Sequence, residues 1–141
     1  MSKLVTILLM LLLSNSLVIF ANDLDFTLYG HEPAFVDDIL LTIDDASIEA
    51  NTQAIFELLQ QQGMTATFFP NTRYIKHHSP QLWQDIAQAG FDIGYHTINH
   101  SAYMSPEELA LDFQIFQEDI RTILNNPNYT IRYVRPPDGD S

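Results

Sequence analysis

From Asp38 onward, short apolar runs alternate with longer amphipathic segments, and this alternation restricts the possible folds more than any other feature of the sequence. A short apolar run bounded by turn residues predicts a buried strand, whereas apolar residues at helical spacing predict an amphipathic helix. Strands that alternate with helices are typical of parallel sheets, because a parallel pair needs a long crossover connection. The sequence therefore predicts an α/β fold with parallel strands.

The predicted strands and helices together make about half of a (β/α) barrel. The strands are residues 39–43, 65–69, 91–95 and 130–134, with one helix in each gap. A complete barrel usually takes about 200 residues or more, whereas this chain has 141. We therefore predict a partial (β/α) barrel over residues 38–141, truncated on its C-terminal side, with the functional site at the C-terminal ends of its strands.

The predicted helices have recognisable ends. Gly63 and Gly90 are expected to stop the first two helices, and Ser79 is expected to cap the start of the second. Ser105 and Glu108 have the spacing of a capping box at the start of the third helix. For the first helix, we predict a buried apolar stripe that consists of Ala54, Ile55, Leu58 and Leu59.

The N-terminal segment has the features of a secretory signal. A basic start at Lys3 is followed by an apolar run, and a small residue, Ala21, precedes the first polar break. Residues 14–16 interrupt the apolar run, which leaves each piece shorter than the roughly 20 residues that a membrane-spanning helix needs. We predict a cleaved signal peptide over residues 1–21, an irregular lead-in over residues 22–37, and a secreted or periplasmic protein without a stable membrane span; the alternative is a retained anchor.

Composition excludes several partners and chemistries. The chain has no cysteine, so it can form neither a disulfide nor a thioester. Its formal net charge is −12, which argues against nucleic acid as a partner, because phosphate contacts need clustered Lys and Arg. The acidity is compatible with a neutral or amino-bearing substrate.

Polar clusters follow three of the predicted strands. Asp44 and Asp45 come after the first strand, His96 and His100 come after the third, and residues 135–138, Arg-Pro-Pro-Asp, come after the fourth. The loops at the carboxyl ends of parallel strands open on one face, where active sites are commonly built. We therefore expect these clusters to meet.

The residue types in these clusters suit a catalytic metal. Two imidazoles and one carboxylate supply three ligands and leave positions open, and a second carboxylate can serve as a base. Taken alone, a His-x3-His pair can occur by chance on a surface helix, and an Asp-Asp pair is common at turns. Two histidines and a carboxylate also suit Fe(II), although that site usually places its carboxylate close to the first histidine. His77 and His78 are predicted to be solvated rather than ligands.

Three ordered motifs resemble those of a known family. Thr42–Ala46 is similar to Thr-Phe-Asp-Asp-Gly, His96–His100 to His-Ser/Thr-x-x-His, and Arg135–Asp138 to Arg-Pro-Pro-Tyr. From about Leu40 to Ser141 the chain resembles the polysaccharide deacetylases, the NodB-homology domain of carbohydrate esterase family 4.

The resemblance implies a set of roles. Asp44 would be the general base, positioned by Arg135, while Asp45, His96 and His100 would hold a divalent metal, with zinc expected. Pro137 and Asp138 would lie at the substrate, and the backbone N–H near Asp138 would help to stabilise an oxyanion. The implied reaction is metal-dependent hydrolysis of acetyl groups on an N-acetylated polysaccharide. The alternatives are an acetyl-ester hydrolase on the same site, or a non-catalytic remnant or carbohydrate-binding module.

The sequence departs from the family pattern at three places. Ala46 replaces a motif glycine, which matters only if that backbone needs a positive φ. Asp138 replaces an aromatic residue that lines the substrate groove. The family's fourth and fifth motifs, which include the histidine that acts as general acid, would lie beyond Ser141. We therefore expect the chain as given to be inactive, and poorly folded when it is expressed alone.

Overall fold

Three strands pair in parallel, as the alternation of strands and helices predicts. The computed structural model describes residues 39–139, which all fall within one compact unit. The predicted signal peptide and lead-in lie outside the described residues. In chain order, the elements are β1 (Thr42–Asp45), α1 (Glu49–Gln61), β2 (Thr67–Pro70), α2 (Thr72–Ile75), α3 (Pro80–Gln88), β3 (Asp92–Ile93), α4 (Pro106–Ile123) and a 3₁₀ turn (Pro137–Gly139).

The sheet register aligns the carboxyl ends of the strands. The strand order is β1-β2-β3, with Asp45 opposite Pro70 and Phe68 opposite Ile93. The residues that follow β1, β2 and β3 therefore leave the sheet at one edge. No helix within residues 39–139 is long and apolar enough to cross a membrane.

The first strand begins later than the sequence predicts. Ile39 and Leu40 are 85% and 73% exposed, and the parallel ladder starts at Thr42. The prediction of a buried strand over residues 39–43 is wrong at its start, because an apolar run does not reveal where its pairing partner begins. It is also wrong in its burial, since no residue of β1 is fully buried. The strand also ends later than predicted, so Asp44 and Asp45 are its last two residues rather than residues that follow it.

The predicted fourth strand is reduced to one isolated parallel bridge between Tyr95 and Val134. Upstream of that bridge, the outward backbone groups of Ile93 face the hydroxyl of Tyr129. The Ile93 N–H donates to that hydroxyl at 3.1 Å, and the hydroxyl donates to the Ile93 carbonyl at 3.4 Å. The Tyr129 side chain thus uses the backbone N–H and carbonyl of Ile93 that a fourth strand would need for its hydrogen bonds. The prediction of a strand over residues 130–134 is therefore wrong.

The helices agree with prediction at their ends more than on their faces. The capping box of Ser105 and Glu108 is present, and α3 begins at Pro80, although the Ser79 side chain makes no capping bond. On α1, the buried residues are Thr52 and Phe56. The predicted stripe is mostly exposed there, including Ala54, Ile55 and Leu58.

Aromatic side chains determine which faces are buried. Phe56 packs edge-on against Phe91 with the ring centroids 5.3 Å apart, and this contact orients α1. Trp83 is fully buried and packs edge-on against Phe68. His78, which we predicted to be solvated, is only 9% exposed and stacks on Trp83, whereas its neighbour His77 is exposed as expected.

Gly94 lies in the sheet where no side chain fits. A Cβ at this position would lie 2.6 Å from Cδ1 of Phe69 and 3.0 Å from the Tyr133 carbonyl oxygen. Replacing Gly94 with Ala should therefore lower the free energy of unfolding by about 1–3 kcal/mol, because a well-packed core does not accept an added methyl group without strain. Denaturant unfolding measures this change.

Gly63 offers a control for Gly94. Its φ is +66° and its Cβ position has nothing within 4 Å, so Gly63→Asn should change stability little, since Asn tolerates this conformation. If the Gly94→Ala variant and the unaltered protein unfold at the same denaturant concentration, the Phe69 ring can move aside without cost.

Candidate metal centre

Asp45, His96 and His100 converge on one point at the carboxyl edge of the sheet. Oδ1 of Asp45 lies 3.7 Å from Nε2 of His96 and 3.6 Å from Nε2 of His100. One potential ligand atom from each of the three residues falls within 4.8 Å of the others. The sequence prediction that β1 and the segment after β3 meet is therefore correct.

These separations suit a metal ion better than direct hydrogen bonds. Ligand atoms about 2.1 Å from a tetrahedral Zn²⁺ lie about 3.4 Å from one another, close to the two distances between Asp45 and the imidazoles. Both distances exceed those of ordinary hydrogen bonds. Oδ1 of Asp45 is covered from solvent and has no hydrogen-bond partner within residues 39–139. An oxygen without a partner between two imidazole nitrogens is the donor set expected of a cation site.

The tautomer of His96 favours metal binding. His96 is 2% exposed, and its Nδ1 lies 2.8 Å from the carbonyl oxygen of Arg135. Because a carbonyl can only accept, Nδ1 must carry the proton in this hydrogen bond. In the neutral ring, Nε2 is left with a free lone pair that faces Asp45. A backbone carbonyl that holds the second ring nitrogen is a common partner of a metal-ligating histidine.

The backbone around Asp45 is unusual. Asp45 has φ +65°, and the Ala46 N–H donates to the Asp44 carbonyl at 2.8 Å, which closes a three-residue turn around Asp45. Ala46 also has a positive φ, +50°. Positive φ is strained for residues with a Cβ, and such strain concentrates at functional sites. The alanine at the motif's glycine position is therefore not neutral, since the backbone there has the conformation that glycine adopts most easily.

The segment from His96 to His100 is a tight loop rather than a helical turn. Thr97 and His100 have φ values of +66° and +58°, outside the range of a right-handed helix. The Thr97 hydroxyl accepts a hydrogen bond from the Ser101 N–H at 2.9 Å. This loop, not helical periodicity, brings the two imidazole rings to a centroid separation of 5.1 Å.

Asp44 directly precedes Asp45 in the chain and is held by Arg135. Nη1 of Arg135 donates to Oδ1 of Asp44 at 2.8 Å and to the Thr42 hydroxyl at 2.9 Å. The guanidinium also lies over the Phe69 ring, 4.8 Å from its centroid. The contact with Arg135 holds one carboxylate oxygen of Asp44. The predicted pairing of Arg135 with Asp44 is thus present in the structure.

Pro137 and Asp138 occupy the 3₁₀ turn that follows Arg135. Pro137 is buried, whereas Asp138 is exposed and has φ +62°. The three residues grouped as potential metal ligands do not include Asp138. The role of Pro137 and Asp138 at the substrate and oxyanion stays a prediction.

The motif residues lie in a region with clear relatives. A family model described as polysaccharide deacetylase matches residues 33–141, a span that contains all three motifs. The chain belongs to the polysaccharide deacetylase family. The expected fold class is confirmed as well, since solved members of the family share the arrangement of parallel strands and helices described here.

Similar proteins include enzymes from several bacteria. A chitooligosaccharide deacetylase of Sinorhizobium fredii is 25% identical over 101 residues, which cover 72% of this chain and 46% of the relative. The structure of a family 4 carbohydrate esterase from Bacillus anthracis is 30% identical, with a TM-score of 0.63 over 72% of this chain and 49% of that one. The structure of the peptidoglycan deacetylase PdaC from Bacillus subtilis is 27% identical, with a TM-score of 0.63 over 71% and 48% of the two chains. The chain spans less than half the length of each of these relatives.

Two residues near the candidate metal centre were missed by sequence reasoning. Asn71 directly follows β2, so the rule that polar residues at strand ends build sites could have found it. Asp112 gives no comparable signal, because it lies within an amphipathic helix. Its Oδ1 accepts from the Tyr95 hydroxyl at 2.8 Å and from the Ile98 N–H at 3.1 Å, which ties α4 to the histidine loop.

The Tyr95 hydroxyl is a dependable donor in this contact. Burial, and then its hydrogen bond to Asp112, raise the pKa of Tyr95 well above its usual value. The hydroxyl therefore keeps its proton over the whole range in which proteins are handled. Tyr95 is the residue before His96, so this bond stabilises the start of the histidine loop.

Proposed function

We propose that this protein is a metal-dependent deacetylase of acetylated polysaccharides, with a divalent cation held by Asp45, His96 and His100. The observation that carries the proposal is Oδ1 of Asp45, which has no hydrogen-bond partner in the described part of the chain and lies 3.6 and 3.7 Å from two imidazole nitrogens. Zinc is the expected ion, because a mixed nitrogen and oxygen donor set with open positions is typical of catalytic zinc. When bound, the cation supplies Lewis acidity that polarises the acetyl carbonyl and lowers the pKa of water nearby.

Asp44 is suited to act as the general base. Its carboxylate is not one of the converging ligand atoms, and only one of its oxygens is held by Arg135. The remaining oxygen can take a proton from water that attacks the acetyl carbonyl carbon, while the carbonyl π electrons move to oxygen. Collapse of this adduct re-forms the carbonyl as acetate and breaks the bond to the sugar nitrogen, which takes the proton held by Asp44 and leaves as the free amine. The charge-assisted hydrogen bond from Arg135 holds this carboxylate in place.

The relatives favour an amide-bearing carbohydrate as the first substrate to test. One is named a chitooligosaccharide deacetylase and another a peptidoglycan deacetylase. A third is a carbohydrate esterase, so an acetyl ester remains the second candidate. The exposed Asp138 and the strong negative charge of the chain fit a product that gains an amino group.

Acetate release from a chitooligosaccharide, with and without metal, tests the proposal. The assay uses the whole product of the coding region, here called the full-length protein, because residues 1–141 alone are expected to be inactive. This protein should lose at least about 99% of its activity when a chelator removes the metal, because the Lewis acid contributes several kcal/mol to the barrier. Added zinc should restore activity. A parallel assay on acetylated xylan separates amide hydrolysis from ester hydrolysis.

Each outcome of this assay has a clear meaning. Zinc-dependent acetate release from the chitooligosaccharide supports the amide proposal, and release from acetylated xylan alone supports the esterase. Sugar binding without any acetate release, at saturating zinc, would contradict both and favour a non-catalytic carbohydrate-binding protein.

A further inference from the structure

Asn71 is a buried polar residue that contacts the backbone of both segments carrying the metal ligands. It is 0% exposed and follows β2 directly. Its backbone N–H donates to the Asp45 carbonyl at 3.1 Å. Its side-chain Nδ2 donates to the carbonyls of His96 at 2.8 Å and Thr97 at 3.2 Å. One residue therefore connects the Asp45 turn to the histidine loop.

These contacts lie where the backbone most needs support. Asp45 and Thr97 both have positive φ, a strained conformation that persists only when surrounding contacts hold it. The carbonyls of His96 and Thr97 point into a buried region, where an unpaired carbonyl is costly. The amide of Asn71 satisfies both carbonyls. Its own Oδ1 is buried without a partner in the described part of the chain, so the side chain forms hydrogen bonds only through its NH₂ group.

We propose that Asn71 is a positioning residue that sets the separation between Asp45 and the two histidines. It acts through backbone carbonyls and does not itself touch metal or substrate. The proposal rests on the metal site of the proposed function. It adds that the ligand geometry is established before the cation binds, because all three Asn71 contacts are made by protein groups alone.

The test uses two Asn71 variants of the full-length protein. Asn71→Asp keeps the shape but removes the NH₂ donors, and Asn71→Leu fills similar space without any polar atom. The first measurement is zinc affinity by competition with a chelator, which should fall about 10–100-fold, as when other second-layer partners of metal ligands are lost. The second, made without metal, is amide hydrogen exchange at Ile98 and Ser101, which should become about tenfold faster as the loop loses two hydrogen bonds.

Two control variants separate positioning from general stability. Thr72 is the next residue, is equally buried, and has a hydroxyl without a partner in the described residues, so Thr72→Val should leave zinc affinity and loop exchange unchanged. Ile86→Val lies in the core and should lower stability by about 0.5–1.5 kcal/mol without a selective effect on the loop.

The outcomes distinguish Asn71 from the metal site itself. Zinc affinity within threefold of the unaltered protein in both Asn71 variants, or a loss matched by Ile86→Val, would overturn the positioning role. If one Asn71 variant folds poorly, amide exchange of the histidine loop in the other variant, measured without metal, still decides whether Asn71 has the positioning role. An unaltered protein that binds zinc no better than a His100→Ala variant would overturn the proposed function, while the exchange data would still decide whether Asn71 holds the loop.

Discussion

Replacing His100 with alanine in the full-length protein is expected to weaken zinc binding by more than about a hundredfold and to abolish deacetylase activity. Loss of a residue that only supports a ligand costs about 10–100-fold in metal affinity, so loss of a ligand should cost more. His100 suits this test because its side chain is 38% exposed, whereas that of His96 is only 2% exposed. Removing His100 should therefore leave the packing of the domain intact. Chelator competition measures affinity, and denaturant unfolding of the metal-free protein checks the fold.

His77 provides the matched control for His100. It is an exposed histidine that lies outside the cluster. His77→Ala should leave zinc affinity and activity unchanged. Equal zinc affinity in the two variants would show that His100 is not a ligand.

Replacing Asp44 with asparagine is expected to lower turnover by about 10²–10⁴-fold, the usual contribution of a general base. Asparagine keeps the size of the side chain and can still accept the hydrogen bond from Arg135, but it cannot take a proton at neutral pH. Zinc affinity should stay within a few fold, because Asp44 is not among the converging ligand atoms. Single-turnover kinetics at saturating zinc separate this loss from a binding defect.

Asp45→Asn is the comparison that gives the Asp44 result its meaning. Asp45 is the neighbouring carboxylate and supplies the oxygen between the two imidazoles. Its replacement should reduce both zinc affinity and turnover. If Asp44→Asn loses as much zinc affinity as His100→Ala, the roles assigned to the two aspartates are reversed or shared.

The site was easier to predict from sequence than the sheet that holds it. Asp44, Asp45, His96 and His100 could be placed together because parallel strands end at one edge, a rule that tolerates errors in strand boundaries. The start of the first strand is predicted too early, at Ile39, because an apolar pattern shows which residues can be buried but not which residues pair with a neighbouring strand. The Asp45 turn and the histidine loop depend on positive φ values at Asp45, Thr97 and His100. Aspartate, threonine and histidine in a sequence do not predict that conformation.

The remaining differences come from contacts distant in sequence. Tyr129 occupies the backbone groups of Ile93, and no local pattern predicts that a tyrosine hydroxyl will replace part of a strand ladder. The buried face of α1 is set by the contact of Phe56 with Phe91 rather than by its aliphatic spacing. Asn71 could have been suspected from its place after β2, but the carbonyls it serves belong to a loop 25 and 26 residues away.

Arg135 serves the site through two chemically independent parts. Its side chain holds Asp44, while its main-chain oxygen holds the buried ring of His96. No side-chain substitution at this position can delete that oxygen, and Pro136 restricts Arg135 to extended conformations, which limits where the oxygen can point. The support of Asp44 and the support of His96 can therefore be altered separately. A library at position 135 would change the side-chain contact with Asp44 while the carbonyl that holds His96 stays in the chain.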